Sequence, residues 1–172
     1  IVRRLVGSEM CIRDRRGGVQ DYYLYGNRLN FTDLQSYKNW FERVKGYTQN
    51  VRNSLEINKE GLELGYTQPK LVTRGVSAQI GAMLERDLED HPYFKIFKNV
   101  GDVASPEDAL ALQNEVKEYI QNVLNPTYQE LYDFLINEYL PESRDTIGIS
   151  DVPNGKEWYE SVSYTHLTLP TT

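Results

Sequence analysis

Apolar residues recur at three- and four-residue steps along this chain, and the longest series fixes the fold class. That series runs from Leu34 to Leu62 and marks one face of a helix of about 30 residues, or roughly 45 Å. A second series runs from Leu71 to Leu88 and a third from Leu110 to Tyr139. No alternating pattern typical of a strand occurs. The sequence therefore predicts an all-α fold of long antiparallel helices, forming part of a larger helical shell, with no significant sheet.

Residues with strong preferences for helix ends predict where the first two helices begin and end. Thr32 should cap the first helix, and Gly65 should take the left-handed conformation just past its last turn. Pro69 should occupy the first position of the second helix, where its missing N–H costs nothing. Gly75 and Gly81 weaken that helix, so both are predicted to lie in close contact with a neighbouring helix.

The third helix has the clearest start. Ser105 is followed by a proline and two carboxylates, which predicts a cap and a favourable first turn. Pro126 removes one backbone hydrogen bond from the interior, so we expect a kinked long helix or two abutting helices. Residues 140–141 should end this helix. Residues 141–155 have loop composition, and a short helix is predicted to start near Gly155.

The two termini match translated sequencing adapter. Residues 5–14, LVGSEMCIRD, fit the codons CTC GTG GGC TCG GAG ATG TGT ATA AGA GAC. Residues 162–172, VSYTHLTLPTT, fit GTC TCT TAT ACA CAT CTG ACG CTG CCG ACG A, the other adapter of the same chemistry. Ordinary disordered termini are the alternative, but disorder predicts a composition and not a codon string. We therefore expect residues 1–15 and 162–172 to be non-native and residues 16–161 to be a truncated helical domain.

Charge and composition exclude several classes of function. The 172 residues include 19 basic and 25 acidic side chains, and a chain of net charge −6 without a basic stripe is a poor nucleic-acid binder. No apolar run approaches the roughly 20 residues of a transmembrane helix. Cys11 and His166 lie in the terminal segments, which leaves His91 as the one histidine of residues 16–161. We expect no nucleic-acid partner, no transmembrane segment in this chain and no thiol chemistry.

The segment between the second and third helices holds the remaining candidate metal ligands. Its acidic residues lack the glycine turn of a calcium loop and are predicted to form a solvated helix face; they are Glu85, Asp87, Glu89 and Asp90. His91 has no second histidine to share a metal with, so a solvated or helix-capping side chain is predicted. The aromatic residues that follow are predicted to pack onto the core from a loop.

The loop that follows the third helix carries the most suggestive polar residues. Charged and polar side chains there alternate with turn-forming residues, an arrangement typical of binding loops. We predict cleft-lining positions at Arg144, Asp145, Asn154 and Tyr159. The alternative is that Arg144 and Asp145 cap neighbouring helix ends. No Ser-His-Asp, Cys-His, phosphate-loop or H-E-x-x-H pattern is present, so no residue of this chain is predicted to be catalytic or to bind a metal or cofactor.

Three motifs occur in an order that resembles a known family. They are G-x-x-x-G-Y-x-x-P-K at residues 61–70, E-Y-L-P-x-x-R-D-x-x-G at residues 138–148, and P-N-G-x-x-x-Y at residues 153–159. Taken together, these motifs make the chain similar to the N-terminal half of the bacterial family catalogued as domain of unknown function 885.

That resemblance implies a large, mostly helical protein related to zinc metallopeptidases of the gluzincin type, exported or lipid-anchored in bacteria. In that family, an H-E-x-x-P-G-H-like helix in the C-terminal half would hold zinc, with its glutamate as general base. The present chain lacks that motif, so the resemblance transfers no catalytic or zinc-binding residue to it. Zinc, a peptide substrate and an extracytoplasmic or lipoprotein location are implied only for the full-length parent.

Two interpretations follow. In the first, the chain is a truncated N-terminal helical portion of a zinc-dependent peptidase-like hydrolase, forms a wall of the substrate cleft, and is inactive without the missing C-terminal half of the same protein. In the second, it is a non-catalytic helical binding or scaffold module of the bacterial cell envelope. The second interpretation rests on an acidic surface and on 13 tyrosines, which suit core packing as well as a binding groove.

Overall fold

A computed structural model describes the backbone of residues 19–167 and the side chains of residues 19–161. The helices in that part are α1 (Tyr23–Gly26), α2 (Leu34–Glu63), α3 (Lys70–Leu84), α4 (Pro92–Lys95), α5 (Pro106–Tyr119), α6 (Asn125–Phe134), α7 (Leu140–Glu142) and α8 (Gly155–Leu167). Short 3₁₀ turns lie at Leu88–Asp90, Ile96–Asp102 and Ile149–Asp151. Over residues 19–167 there is no strand beyond an isolated bridge between Pro69 and Arg144, so the all-α prediction is confirmed.

Most of the terminal sequence predicted to be translated adapter lies outside the described residues, which exclude 1–18 and 168–172. At the other predicted boundary, the backbone of α8 continues past residue 161 to Leu167. The non-native origin of the two segments therefore stays a prediction.

α2 supplies the central face of the core. The buried residues on that face recur at the predicted helical steps; they are Tyr37, Trp40, Phe41, Val44, Thr48, Val51 and Leu55. α6 packs against both α2 and α3, so α2, α3 and the long helix that contains α6 enclose one apolar interior. Burial of this apolar surface is the main force that holds the helices together.

The relative directions of these helices follow from their cross-contacts. Contacts between α2 and the α5–α6 helix run in increasing order along both, from Lys45 with Glu115 to Thr48 with Tyr119 and Arg52 with Thr127. Contacts of α3 run in the opposite order, from Lys70 with Asp145 to Thr73 with Ser143 and Gly81 with Tyr132. α3 is therefore antiparallel to its neighbour as predicted, whereas α2 runs parallel to α5 and α6. α5 can run parallel to α2 because residues 85–105 lead the chain from the end of α3 back to the starting end of α2.

The helix caps confirm one predicted start and correct another. The Ser105 hydroxyl accepts a hydrogen bond from the amide of Asp108 at 3.1 Å and caps α5, as predicted. The cap of α2 is Asp33 and not Thr32, because the Asp33 carboxylate accepts from the amide of Ser36 at 2.7 Å and the Ser36 hydroxyl in turn accepts from the amide of Asp33. This reciprocal pair forms a capping box, and the carboxylate also faces the positive end of the helix dipole.

The connection between α2 and α3 confirms the prediction for Gly65 and corrects that for Pro69. Gly65 has φ +78°, and the Tyr66 amide donates to the Gly61 carbonyl at 2.7 Å, which closes a Schellman motif. Pro69 has ψ 142° and therefore lies outside α3, as its cap residue. The first helical position belongs to Lys70, whose amide donates to the Arg144 carbonyl at 2.8 Å.

The two glycines of α3 differ in their surroundings. A Cβ atom at Gly81 would lie 3.1 Å from the Tyr132 ring, so the predicted close helix contact is confirmed there. A Cβ atom at Gly75 would meet nothing within 4 Å, so the same prediction is wrong for Gly75.

Two π-helical turns, Ile120–Leu124 and Leu135–Tyr139, join α5, α6 and α7 into one continuous helix. In each turn an amide donates to the carbonyl five residues back, from Asn125 to Ile120 and from Leu140 to Leu135. This spacing widens the helix locally.

Each π-helical turn is followed, one residue later, by a proline. A proline ring normally clashes with the carbonyl four residues back, and for Pro126 and Pro141 that carbonyl belongs to the wider turn. The predicted interruption at Pro126 is therefore a π-helical turn in an uninterrupted helix. The predicted end at residues 140–141 is wrong by one residue, because α7 contains Pro141 and ends at Glu142.

Candidate functional site

The predicted site loop packs against the connection between α2 and α3. We call the surface made by residues 64–71 and 143–159 the end surface. Contacts across it join Tyr66 with Asn154 and Trp158, and Lys70 with Asp145. Gln68 also bonds to Tyr139, which lies beneath the surface. The three motifs at residues 61–70, 138–148 and 153–159 are therefore brought together in space.

The Arg144 side chain holds this loop in place through hydrogen bonds to main-chain carbonyls. Its side chain is half-buried, and its Nε donates to the Thr67 carbonyl at 2.9 Å. Its Nη1 donates to the carbonyls of Thr146, at 3.2 Å, and of Gly148. Helix capping involves the Arg144 main-chain carbonyl, which accepts from the first amide of α3, and not the guanidinium. The guanidinium therefore orders the loop, since charged hydrogen-bond donors to carbonyls are stronger than neutral ones.

Asp145, Asn154 and Tyr159 have exposed side chains on the end surface. Asp145 pairs with Lys70 Nζ at 3.1 Å, although its side chain remains 83% exposed. The Asn154 amide donates to the Tyr66 hydroxyl at 3.5 Å. Tyr159 is 61% exposed and makes no described contact with the other three predicted cleft residues. In the connection between α2 and α3, Arg144 thus bonds to Thr67 and Asn154 to Tyr66. Asp145 pairs with Lys70, at the start of α3.

The turn before α8 explains the P-N-G motif. Asn154 has φ +58°, a left-handed conformation that asparagine tolerates better than most residues. At Gly155, any Cβ atom would collide with the carbonyl oxygen of Ile149. A side chain at residue 155 would therefore displace the start of α8, which begins there as predicted.

Tyr139 supports the end surface from below. The Tyr139 hydroxyl accepts a hydrogen bond from the Gln68 amide at 2.9 Å, and its carbonyl accepts one from the Ser143 hydroxyl at 2.8 Å. Burial raises the pKa of the Tyr139 phenol, so it stays protonated at neutral pH. Sequence reasoning missed this role, because Tyr139 has the same helical spacing as the ordinary core residues of its helix.

Large apolar side chains are exposed at the same place. Leu71 is 70% exposed and Ile147 is 75% exposed, and Leu64, in the same segment of the end surface as Leu71, is also exposed. Apolar side chains grouped on a surface, with polar groups between them, are typical of a surface that contacts another molecule. The end surface thus combines exposed apolar side chains with the Asn154 amide and the Asp145 carboxylate.

An open cavity of about 260 Å³, which sequence reasoning missed, lies between α2 and α5. Lys45 Nζ there lies 2.8 Å from Glu42, 3.2 Å from Glu115 and 4.0 Å from the centre of the Phe41 ring. Burial lowers the pKa of Lys45, but the two carboxylates outweigh burial and raise it. The ammonium group is thus already neutralised by the chain's own carboxylates.

His91 is buried, which corrects the prediction of a solvated or capping side chain. Its exposed fraction is 0%, and neither ring nitrogen has a hydrogen-bond partner in the described part of the chain. Only its main chain caps α4, accepting from the amide of Phe94 at 2.9 Å. Burial lowers the pKa of His91 to about 4, against a smaller opposing contribution from Asn125. Tyr93 and Phe94 are buried beside the ring as predicted, but they lie in the short helix α4 and not in a loop.

The described residues do not fit a zinc site. Across residues 19–161, no group of three or more His, Cys, Asp or Glu side chains could hold a metal ion, and we derive no zinc-dependent step for this chain. The four acidic residues next to His91 are exposed, as predicted. Two of them form ion pairs, Glu89 with Lys117 and Asp90 with Lys95. In the part of the chain that the structure describes, no helix is long and apolar enough to cross a membrane.

Comparison with known protein families identifies a match for this chain. A family model described as a bacterial protein of unknown function (DUF885) matches residues 7–172, a range that includes most of the two segments predicted to be adapter. No curated protein and no solved structure matches the chain.

Proposed function

The chain belongs to the DUF885 family of bacterial proteins, and from that premise we propose that it forms one wall of the substrate cleft of a zinc-dependent peptidase-like hydrolase. The zinc-binding groups of that hydrolase lie in a C-terminal half of the parent protein. The end surface is the part of the chain that faces the substrate. The same reasoning proposes an extracytoplasmic location in a bacterium.

The observation that carries this proposal is the meeting of all three motifs at the end surface. Interactions of Tyr66, Gln68 and Lys70 hold residues 139–158 in place, at sequence separations of about 70 to 90 residues. A chain that keeps such distant segments together, with exposed apolar side chains between them, presents a shaped surface on a rigid support. Its exposed groups can bind a peptide but supply no nucleophile paired with a base.

The scaffold interpretation loses part of its support. It relied on a surface rich in tyrosine, yet four tyrosines are buried in the core, namely Tyr37, Tyr93, Tyr128 and Tyr139. Tyr22 and Tyr47 stack on each other with ring centres 3.6 Å apart. The tyrosines of this chain therefore serve mainly in packing, and we favour the cleft wall.

Two measurements test the proposal. The first reads the coding DNA downstream of the codon for Ser161, where we expect an H-E-x-x-H motif in the same frame. The second incubates the purified chain with zinc and a quenched-fluorescence peptide library, where we expect no cleavage that a chelator abolishes. Chelator-sensitive cleavage by the 172-residue chain alone, or a long downstream frame without that motif, would overturn the proposal.

A further inference from the structure

α3 presents an apolar face to solvent. The buried side of this helix packs against α6. On the other side, four apolar residues are exposed at steps of four, three and four residues, which keep them on one face; they are Leu71, Gly75, Ala78 and Ala82. Leu71 is 70% exposed, and a Cβ atom at Gly75 would meet nothing within 4 Å. No described part of the chain therefore covers this face.

The exposed sides of the other two long helices are charged instead. The exposed positions of α2 and α5 include Lys38, Glu42, Arg43, Glu56, Glu115 and Glu118. Charged side chains of this kind are the ordinary choice where a helix faces water. Small residues such as those on α3 allow two helix axes to approach to about 8 Å, so this face suits contact with another helix.

Two charges of opposite sign border the apolar face of α3. Arg74 and Glu85 are exposed, and neither side chain forms an ion pair or a hydrogen bond with any described residue. Glu85 is the C-cap and keeps the helical conformation, with φ −73° and ψ −9°. The two residues are 11 positions, or about three turns, apart, so they lie on the same flank of the face and about 17 Å from each other along the axis.

An antiparallel pair of α3 helices brings these opposite charges together. When a twofold axis perpendicular to both helices passes next to Ala78, Gly75 of one copy lies opposite Ala82 of the other. In that register Arg74 of one copy and Glu85 of the other differ by only about 3 Å along the helix axis, on the same flank. The twofold axis forms this pair twice. A parallel pair would set like charges beside each other at both positions and is therefore disfavoured.

The neighbouring basic side chains do not oppose this arrangement. Lys70 Nζ is already paired with Asp145, at 3.1 Å. Arg86 is exposed and follows the last turn of α3, so in the antiparallel register it lies opposite Leu71 of the other copy. The aliphatic part of its side chain can pack on that leucine while the guanidinium stays in water.

We propose that two copies of this chain associate through antiparallel contact of their α3 helices, with an Arg74–Glu85 ion pair on either side of Gly75, Ala78 and Ala82. A second copy fits because a twofold interface requires a surface complementary to itself, and opposite charges on the same flank of one helix meet that requirement. One helix from each copy makes an interface smaller than the roughly 1,200 Å² of a standard complex, so the dimer is weak.

Sedimentation equilibrium of the 172-residue chain tests the association. We expect a reversible monomer–dimer equilibrium with a Kd between about 10 µM and 1 mM. A chain that stays monomeric over that range would overturn the proposal and leave the face to a different partner, such as a downstream part of the parent protein.

Exchanging the two charges tests the register. Arg74→Glu and Glu85→Arg each place like charges together in the homodimer, so we expect each variant alone to dimerise at least about tenfold more weakly than the wild type. In an equimolar mixture, one variant carries two carboxylates and the other two guanidinium groups, so all pairs are again attractive. We expect the mixture to associate within about threefold of the wild-type affinity. A mixture no stronger than its components would contradict the antiparallel pairing.

Two matched controls separate this interface from general effects of charge or helix stability. Ala78→Lys inserts a long charged side chain at the centre of the contact, whereas Ala111→Lys makes the same change at an exposed position of α5. Arg43→Glu reverses an exposed charge on α2. We expect Ala78→Lys to abolish the dimer and both controls to retain it, with unchanged helix content by circular dichroism. A dimer that survives Ala78→Lys would use another surface and would overturn the proposal.

These outcomes are separate from those of the proposed function. Sedimentation contains neither zinc nor substrate, so a monomeric chain removes the α3 dimer and leaves the cleft wall. Chelator-sensitive cleavage by the chain itself removes the cleft wall and leaves the measured association unaffected.

Discussion

Acidification should destabilise this protein through His91, because the imidazole ring is buried in its neutral form. The ring has an exposed fraction of 0%, and the Asn125 side chain, which favours the charged form, offsets only part of the effect of burial. In the unfolded chain the imidazole takes up a proton near pH 6.5, its ordinary pKa, whereas in the folded chain the pKa is about 4. Between these two values the unfolded state binds one more proton than the folded state.

The sign and size of the effect follow from this difference. Because the folded pKa is lowered, the contribution of His91 to stability is fully present above pH 6.5 and is lost as the pH falls toward about 4. Each pH unit corresponds to about 1.4 kcal/mol, so the loss across the interval is about 3 kcal/mol. A loss of that size is a large fraction of the stability of a domain of this length.

The assay is urea unfolding followed by far-UV circular dichroism at several pH values across this interval. Carboxylates also titrate there, so the informative quantity is the difference between the wild-type chain and His91→Leu. We expect the wild type to lose about 3 kcal/mol more than the variant. His166→Gln removes the other histidine of the sequence and is expected to keep the wild-type slope. The same pH slope in His91→Leu and in the wild type would refute the reasoning.

Three further expectations concern stability at neutral pH, all measured by urea unfolding. Asp33→Ala should cost about 1 kcal/mol because the capping box of α2 is lost, while Thr32→Ala should have little effect; a larger cost at Thr32 would contradict the cap assignment. Gly75→Ala should stabilise α3 by about 1 kcal/mol, and Gly81→Ala should gain less or destabilise because its methyl group meets a tyrosine ring; equal gains would count against that contact. Tyr128→Phe should cost about 1 to 3 kcal/mol, because its hydroxyl donates to a main-chain carbonyl at 2.6 Å and bonds to a second buried tyrosine; an unchanged unfolding midpoint would disprove this.

The helical fold was predictable from the sequence because local signals agree with the final packing. The face of α2 follows a regular apolar spacing, and Gly65 and Ser105 have strong preferences for the positions they take. The predicted starts of α2 and α3 were each wrong by one residue. Neighbouring residues compete for the cap position, and only the bond of Asp33 to Ser36 and that of Lys70 to Arg144 decide which residue takes it.

Features that depend on distant partners could not be predicted. The burial of His91 follows from the way α4 folds onto the core, and no periodic pattern marks so short a helix. The two π-helical turns have no sequence signal beyond the prolines that follow them. The cleft-lining positions stay a prediction drawn from a loop rich in polar residues. The inward direction of the Arg144 guanidinium could not be predicted, because it depends on a carbonyl 77 residues away.

The most direct test of the cleft wall is a comparison of steady-state kinetics in the protein extended downstream through the proposed zinc-binding half. Ile147→Ala and Asn154→Ala change groups that would bind substrate without taking part in the chemistry, and Ile57→Ala provides the distant control. We expect the first two variants to raise KM for a peptide substrate about threefold to tenfold, with kcat unchanged and the control unaffected. Unchanged KM values in both variants, or a fall in kcat alone, would contradict the placement of substrate against the end surface.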